Sequence, residues 1–384
     1  MGFFVGESAV QQPRGAVKLN GTAITGWTRW TVNNNAFAYA DEFTVQFVVQ
    51  GLPADRDANW FSTVGGTLSD ADTNMYVELF AGFPDDVDSY SASDLESVIY
   101  GRADDIDFDP ERGVIEVRGR DLTGVFIDTK TTDKWTNLTA SQIATQLAQK
   151  HGLTPVVTKT TTKAGKFYQI DYVNLTDERT EWDILCYLAQ SENFRVYVKG
   201  QSLYFEPYPN QDTADTFVPP WPINWAPADT AGASAAANVM APKFRRSLTV
   251  SRGVQVVVRS WNAKQGRGFT ATYPTSKAVT LKPGQSSTSA QIYRLTRPNL
   301  TQEQAIRLAQ TYYEQLIKHE MRMSFTSPGD NDLDMTRYLQ VSGTGTAFDQ
   351  IYYPESIQRT MSFSGGYSMS VNAKNSSPES QATA

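Results

Sequence analysis

The chain has 384 residues and a formal net charge of -7. That length divides into roughly two to four compact units, and the acidic balance disfavours a protein that grips nucleic-acid phosphates. One cysteine, Cys186, excludes an internal disulfide framework, and two histidines, His151 and His319, cannot complete an ordinary histidine-rich metal site.

The opening residues, Met1 to Glu7, show neither a basic n-region nor an apolar run of signal-peptide length. No stretch approaches the roughly 20 apolar residues that span a bilayer. The expectation is a protein assembled in a cytoplasm or packed into a particle built there. From Ala16 to Asp121 the pattern is mostly period two, with Phe43, Val45 and Phe47 on one strand face and Met75, Val77 and Leu79 on another. Glycine and proline punctuate it at Gly51-Leu52-Pro53, Gly65-Gly66 and Gly82-Phe83-Pro84. This predicts a β domain over 15–122, after an N-terminal arm at 1–14, with Val114 to Arg118 as its last strand.

The period then changes. Thr139 to Lys150 and Thr176 to Glu192 each place apolar residues on one helical face, Ile143 and Leu147 in the first, Leu185 and Leu188 in the second. With strands predicted at Phe167 to Tyr172, Arg195 to Val198 and Leu203 to Glu206, residues 123–208 read as an α+β domain. Prolines and small residues make 209–243 a linker or long loop. Its Trp221 and Trp225 read as anchors against another surface. A second β domain over 244–374 begins with a strand at Leu248 to Val258 and ends with strands at Tyr338 to Ser342, Ile357 to Phe363 and Tyr367 to Val371. Between them Thr301 to Glu320 reads as a helix, and the small polar tail at 375–384 as disorder.

Motifs for chemistry fail individually. Asn-Leu-Thr at Asn137, Asn174 and Asn299 precedes predicted helices, and Thr139 with Gln142 and Thr301 with Gln304 have capping-box spacing, so these are caps and not glycosylation sites. Asp330-Asn331-Asp332-Leu333-Asp334 imitates a calcium loop, but Met335 replaces the turn glycine and Val341 the bidentate glutamate. Gly266 to Ala271 resembles a dinucleotide fingerprint without a following helix and reads as a hairpin turn. No nucleophile elbow or Walker loop occurs, neither histidine has a recognisable partner, and Cys186 lies on the apolar side of its helix. The sequence therefore predicts no catalytic residue, no cofactor and no metal site. Ten carboxylates against one base, Arg102, between Asp85 and Glu111 read either as solvated loops or as a surface that repels DNA.

Two segments carry a family resemblance. Gly113 to Thr123, with Gly119-Arg120-Asp121 at its turn, resembles the strand that closes the first domain of Mu-like baseplate hub proteins. Val341 to Thr346, Tyr352 to Ile357 and Gly366 to Asn375 resemble the C-terminal strands of the hub and late control D family, related to the N-terminal region of VgrG spike proteins. The resemblance implies an α+β, mainly β protein. It would have two tube-like antiparallel β-barrel domains, a helix-containing domain between them, and an insertion at about 263–318 in the second barrel. It also implies a non-enzymatic homotrimer of a contractile phage tail, adapting the sixfold tail tube to the threefold spike around a channel for DNA ejection. Its implied partners are the tail tube or tube-initiating protein, the central spike, other baseplate proteins and the tape measure protein, with DNA only in transit. The alternative is a carbohydrate-binding or carbohydrate-cleaving tail protein, motivated by Trp27, Trp30, Trp60, Trp221 and Trp225 among many carboxylates.

Overall fold

The computed structural model describes residues 12–375 apart from 37–38, 64–73, 132, 134, 136–137, 162–178, 193, 208–218, 228–235, 248–253, 263–266, 274–290, 298–301 and 319–320. Strand outweighs helix, 53% to 20%, which makes the protein mainly β.

Strands β1 (Arg14–Leu19), β2 (Thr22–Ala23), β3 (Trp27–Asn35), β4 (Glu42–Val48), β5 (Tyr76–Gly82), β6 (Glu96–Asp109) and β7 (Val114–Asp121) lie in the order β2-β1-β5-β6-β7-β4-β3. Alternation sets their faces. Phe43, Val45 and Phe47 of β4, Val77 and Leu79 of β5, and Ile115 and Val117 of β7 share one core with Trp30 and Val32. Burying side chains of this size stabilises by about 1.5–3 kcal/mol each. Helix α1 (Ala58–Thr63) adds Phe61, tilted against Phe47 with ring centroids 5.4 Å apart.

The α+β unit comprises α2 (Thr123–Asp128), β8 (Lys130–Thr131), α3 (Ala140–Lys150), β9 (Thr154–Val157), β10 (Arg179–Thr180), α4 (Glu181–Glu192), β11 (Phe194–Lys199) and β12 (Ser202–Pro207). Helix α3 starts where the capping box predicts. The Gln142 amide donates to Thr139 Oγ1 at 3.3 Å, and the Thr139 amide to Gln142 Oε1 at 2.9 Å. Helix α4 starts at Glu181, later than the periodicity from Thr176 suggests. A second reciprocal cap explains the shift, because the Asp183 amide donates to Thr180 Oγ1 and the Thr180 amide to Asp183 Oδ2. Ile143 and Leu147 of α3 pack with Leu185 and Leu188 of α4 and with Val196, Leu203 and Phe205 from the sheet. The strand predicted at Phe167 to Tyr172 lies outside the described residues.

The rest of the chain contributes β13 (Trp221–Ala226), β14 (Ala236–Ala237), β15 (Met240–Arg246), β16 (Val254–Asn262), β17 (Arg267–Tyr273), β18 (Gln291–Thr296), α5 (Gln302–Lys318), β19 (Met321–Pro328), β20 (Leu339–Ser342), β21 (Ile351–Ser362) and β22 (Gly366–Lys374). Strands β16, β17 and β18 form a separate sheet on which α5 packs. The others join a core of Trp221, Ile223, Phe325, Val341, Tyr352 and Val371.

Trp221 is therefore a core residue and not an anchor for another surface. It stacks on Phe325 at 5.7 Å, and its indole N–H donates to Asp330 Oδ2 at 2.8 Å. Parallel pairing of β13 with β20 draws it inward from a segment whose prolines suggest irregular chain.

Strand β21 links the units. Its start pairs with β20, and beyond it one edge takes β22 and the other takes β3. Both units thereby merge into one fourteen-stranded sheet, and no sheet closes among the described residues. The resemblance implies two barrels. Here both edges of β21 are occupied, so the sheet passes from one unit to the next. One register row runs Val45, Trp30, Met361, Tyr367, so the C-terminal hairpin completes the first core. Another runs Asn34, Ile357, Val371, Phe325, and its last three residues belong to the second core.

Candidate functional site

Opposite those cores, the same strands present one polar face across both β units. The row through Arg120 of β7 continues as Glu42, Asn33, Gln358, Ser370 and Thr326 on β4, β3, β21, β22 and β19. The next row runs Asp105, Arg118, Thr44, Thr31, Thr360, Ser368. Cross-strand hydrogen bonds knit it: Gln358 Nε2 donates to Asn33 Oδ1 at 2.9 Å, and Asn372 Nδ2 to Ser356 Oγ at 3.1 Å. The central strands carry mainly hydroxyls and amides, with Glu42 of β4 and Arg29 of β3 among them, and more charge gathers toward the flanks: carboxylates and arginines on β6 and β7, Lys243, Arg245 and Arg322 on β15 and β19.

The ten carboxylates between Asp85 and Glu111 are not one surface. Asp85, Asp86 and Asp88 sit in the loop before β6, and Asp94 caps a turn with Ser91, whose hydrogen bonds hold its carboxyl below the usual range. On β6, Asp104 pairs with Arg120 at 2.7 Å and Asp107 with Arg118 at 3.0 Å, so arginines of β7 offset much of the charge.

Gly119, Arg120 and Asp121, expected at a turn, are instead the last paired residues of β7, and each has a physical role there. A Cβ on Gly119 would lie 2.1 Å from the Arg102 carbonyl oxygen and 2.6 Å from the Phe43 ring, so only glycine lets the strands close over that ring. Arg120 bridges Asp104 and Asp128. The Asp121 carboxylate receives the backbone N–H of Thr123 at 3.2 Å and its hydroxyl at 2.9 Å, starting α2.

A cavity of about 140 Å³ lies where the three units meet, lined by Asp41, Asp121, Tyr197, Lys199, Asp334 and Arg359 among others. Burial pushes the Asp41 carboxyl up to about 6, against hydrogen bonds from Asn34 and Asn35 that lower it. Asp121 is pushed up by burial and by the Asp41 charge beside it. Lys199 reaches Asp334 at 3.4 Å, tying the α+β unit to the second β unit. This is a structural joint of paired and capped groups, with no thiol or histidine among its lining residues.

Other candidate groups resolve as structure. His151 does have a partner: its Nε2 lies 2.5 Å from Glu181 Oε2, and Lys150 Nζ is 2.5 Å from Glu181 Oε1, which raises the lysine's pKa. Glu181 is fully buried, and sequence alone could not connect it to a histidine 30 residues away, just past the end of another helix. The Asp330 to Asp334 run is a turn that receives Trp221, Thr336 and Lys199. Trp27, Trp30 and Trp221 are buried, which removes three of the five tryptophans that suggested a sugar platform. Cys186 is half-buried in α4. Thr301, Asn174 and Gly266 lie outside the described residues. No described helix is long and apolar enough to cross a membrane.

No family model and no curated protein matches the chain. Solved structures do. The tail protein from Neisseria meningitidis MC58 superposes with a TM-score of 0.65 at 14% identity, covering 94% of this chain and 96% of that one. The 43 kDa tail protein of prophage MuSo2 from Shewanella oneidensis gives 0.62 at 14% identity, over 94% and 98%. The chain shares its fold with these two tail proteins. The tail-protein fold also matches a chain of a Francisella PdpA–VgrG complex, at 0.51 and 10% identity, over 99% of this chain and 60% of that one.

Proposed function

We propose that the chain is the non-catalytic hub of a contractile tail baseplate. Three copies form a ring that adapts the sixfold tail tube to the threefold spike and leaves a channel for DNA, in a virion assembled in the host cytoplasm. The observation that carries this reading is the polar face continuous over both β units. A channel wall must pass a phosphate chain without holding it, and each lysine or arginine contact to phosphate adds affinity through counterion release. Hydroxyls and amides hold water there instead, and paired arginines on β6 and β7 are already engaged by carboxylates. Two β units per chain, joined through β21, would give a trimer six wall segments, which matches a sixfold tube above a threefold spike.

The likeness to tail proteins supports a place in the tail, and the likeness to a VgrG-complex chain supports a spike-side neighbour. Tail tube or tube-initiating protein, spike, other baseplate proteins and tape measure protein are the partners this reading assigns. Sedimentation of the purified chain over a concentration series tests it: a trimer is expected, and a monomer that stays monomeric with tube and spike partners added would overturn it.

A further inference from the structure

Among the described residues, the sheet of β16, β17 and β18 buries one of its faces. Val256, Val258 and Ala271 pack on Ala305, Leu308 and Ala309 of α5. Register then puts Val257, Arg259 and Trp261 of β16 on the opposite face, beside Ile292 and Arg294 of β18. Trp261 is 60% exposed and Ile292 48%. The indole lies against Gly268 of β17, where a Cβ would stand 3.0 Å from the ring, so the tryptophan is laid along the sheet. Along this face Ile292 stands at one end beside Gln255 and Trp261 at the other, with Val257, Arg294 and Arg259 between them, a mixture that suits a protein-binding surface, in which tryptophan and arginine carry most of the energy.

A complementary surface exists on the same chain. The loop between β5 and β6 presents Phe83, 36% exposed, beside the exposed Asp85, Asp86 and Asp88. That loop is held in place: Arg14 Nε donates to the Val87 carbonyl at 2.9 Å, and the Tyr90 hydroxyl to the Gly15 carbonyl at 3.3 Å. Asp86 Oδ1 accepts from the amides of Asp88 and Ser89 at 3.0 and 3.1 Å. A loop already fixed loses little entropy on docking. Phe83 and its carboxylates stay exposed, as do Trp261 and Arg259, so neither patch covers the other within one chain.

We propose that the β16–β18 face of one copy docks on the Phe83 to Asp88 loop of a second copy, aromatic on aromatic, with Arg259 and Arg294 meeting Asp85 and Asp88. The two patches differ, so the contact is head-to-tail, and such contacts close into rings when the rotation allows. The proposal rests on the reading of the chain as a self-assembling ring and assigns one of its contacts.

The test is sedimentation of the full chain over a concentration series at low salt, with melting temperature read for each variant. Arg259→Asp with Arg294→Asp, and separately Asp85→Arg with Asp88→Arg, should each raise the concentration for half-association about tenfold. Combining all four should bring it back to within about threefold of the natural chain, because each reversed patch meets its reversed counterpart. Trp261→Ala, which leaves charge unaltered, should weaken association without rescue by the loop reversal. A natural chain that assembles while both reversals assemble equally well overturns this contact and leaves the ring standing, as does a combined variant that stays as weak as the single-patch ones. A natural chain that remains monomeric throughout, with tube and spike partners added as well, overturns the contact and the ring together.

Discussion

The guanidinium of Arg359 donates to the side-chain oxygen of Asn34, 325 residues earlier in the chain, and to the backbone carbonyl of Leu333. Asn34 in turn donates to Asp41 Oδ2 at 2.6 Å. This polar relay sits in the inner face of the shared sheet, on a register row between Phe43 and Val32 on one side and Met369 on the other. The joint between the two β units is thus specified by hydrogen bonds where both flanking cores are apolar.

Arg359→Met should therefore destabilise the fold by about 3 kcal/mol, since it leaves the Leu333 carbonyl and the Asn34 amide oxygen without their donor and Asp41 without its nearby cation. Chemical denaturation of the variant against the natural chain measures this. A change below about 1 kcal/mol would show that the seam tolerates loss of its charge.

The raised carboxyls predict a pH dependence whose sign follows from linkage. Asp41 titrates near 6 in the folded chain against an ordinary 3.8, and Asp121 is raised as well. The unfolded chain ionises these groups first, so the contribution of Asp41 falls as pH rises from about 4 through 6, and that of Asp121 falls with rising pH as well. Comparing the natural chain with Asp41→Asn/Asp121→Asn removes the opposite trend from Asp334 and Asp349, whose carboxyls are held low by hydrogen bonds from threonines. The stability difference between the two chains should shift by at least about 2 kcal/mol, the share of Asp41 alone, in favour of the variant between pH 4 and pH 7. A difference that does not move with pH would contradict the assignment.

Gly119→Ala should cost about 3 kcal/mol, because the new methyl would meet the Arg102 carbonyl at 2.1 Å and strands β6 and β7 would have to part over Phe43. Gly113→Ala, at φ 63° with open space around it, should cost only the backbone term of about 1 kcal/mol. Thermal unfolding of the two variants side by side separates close packing from backbone strain.

If the polar face lines a channel, Asp105→Lys with Asp107→Lys should leave assembly intact while slowing DNA delivery, since free ammonium groups would then face the passing phosphates. Particle yield and infection kinetics read the two effects apart. Normal delivery by such particles would leave these carboxylates as an ordinary solvated strand.

Local pattern carried the first β unit and the two capped helices, because each signal lies within a few residues of what it controls: alternation in β4, Thr139 with Gln142 in α3. What it could not carry was pairing at a distance. Met361 and Tyr367 read as members of the last β unit, yet the union of β21 with β3 places them in the first core. Trp221 stood among prolines that conceal a strand, since its parallel partner β20 lies more than a hundred residues on. Glu181 gave no hint of His151 for the same reason. The polar face shows the limit most clearly: Thr31, Thr44, Thr360 and Ser368 are unremarkable one by one and become a wall only when register aligns them.

Three chains that enclose a channel walled by this face would form a ring large enough to be imaged. Electron microscopy of the purified chain, alone and with its tube and spike partners, tests it most directly. A threefold ring with a central hole is expected, its inner surface formed by β3, β4, β21 and β22. A single copy per particle, or a ring without a hole, would contradict it.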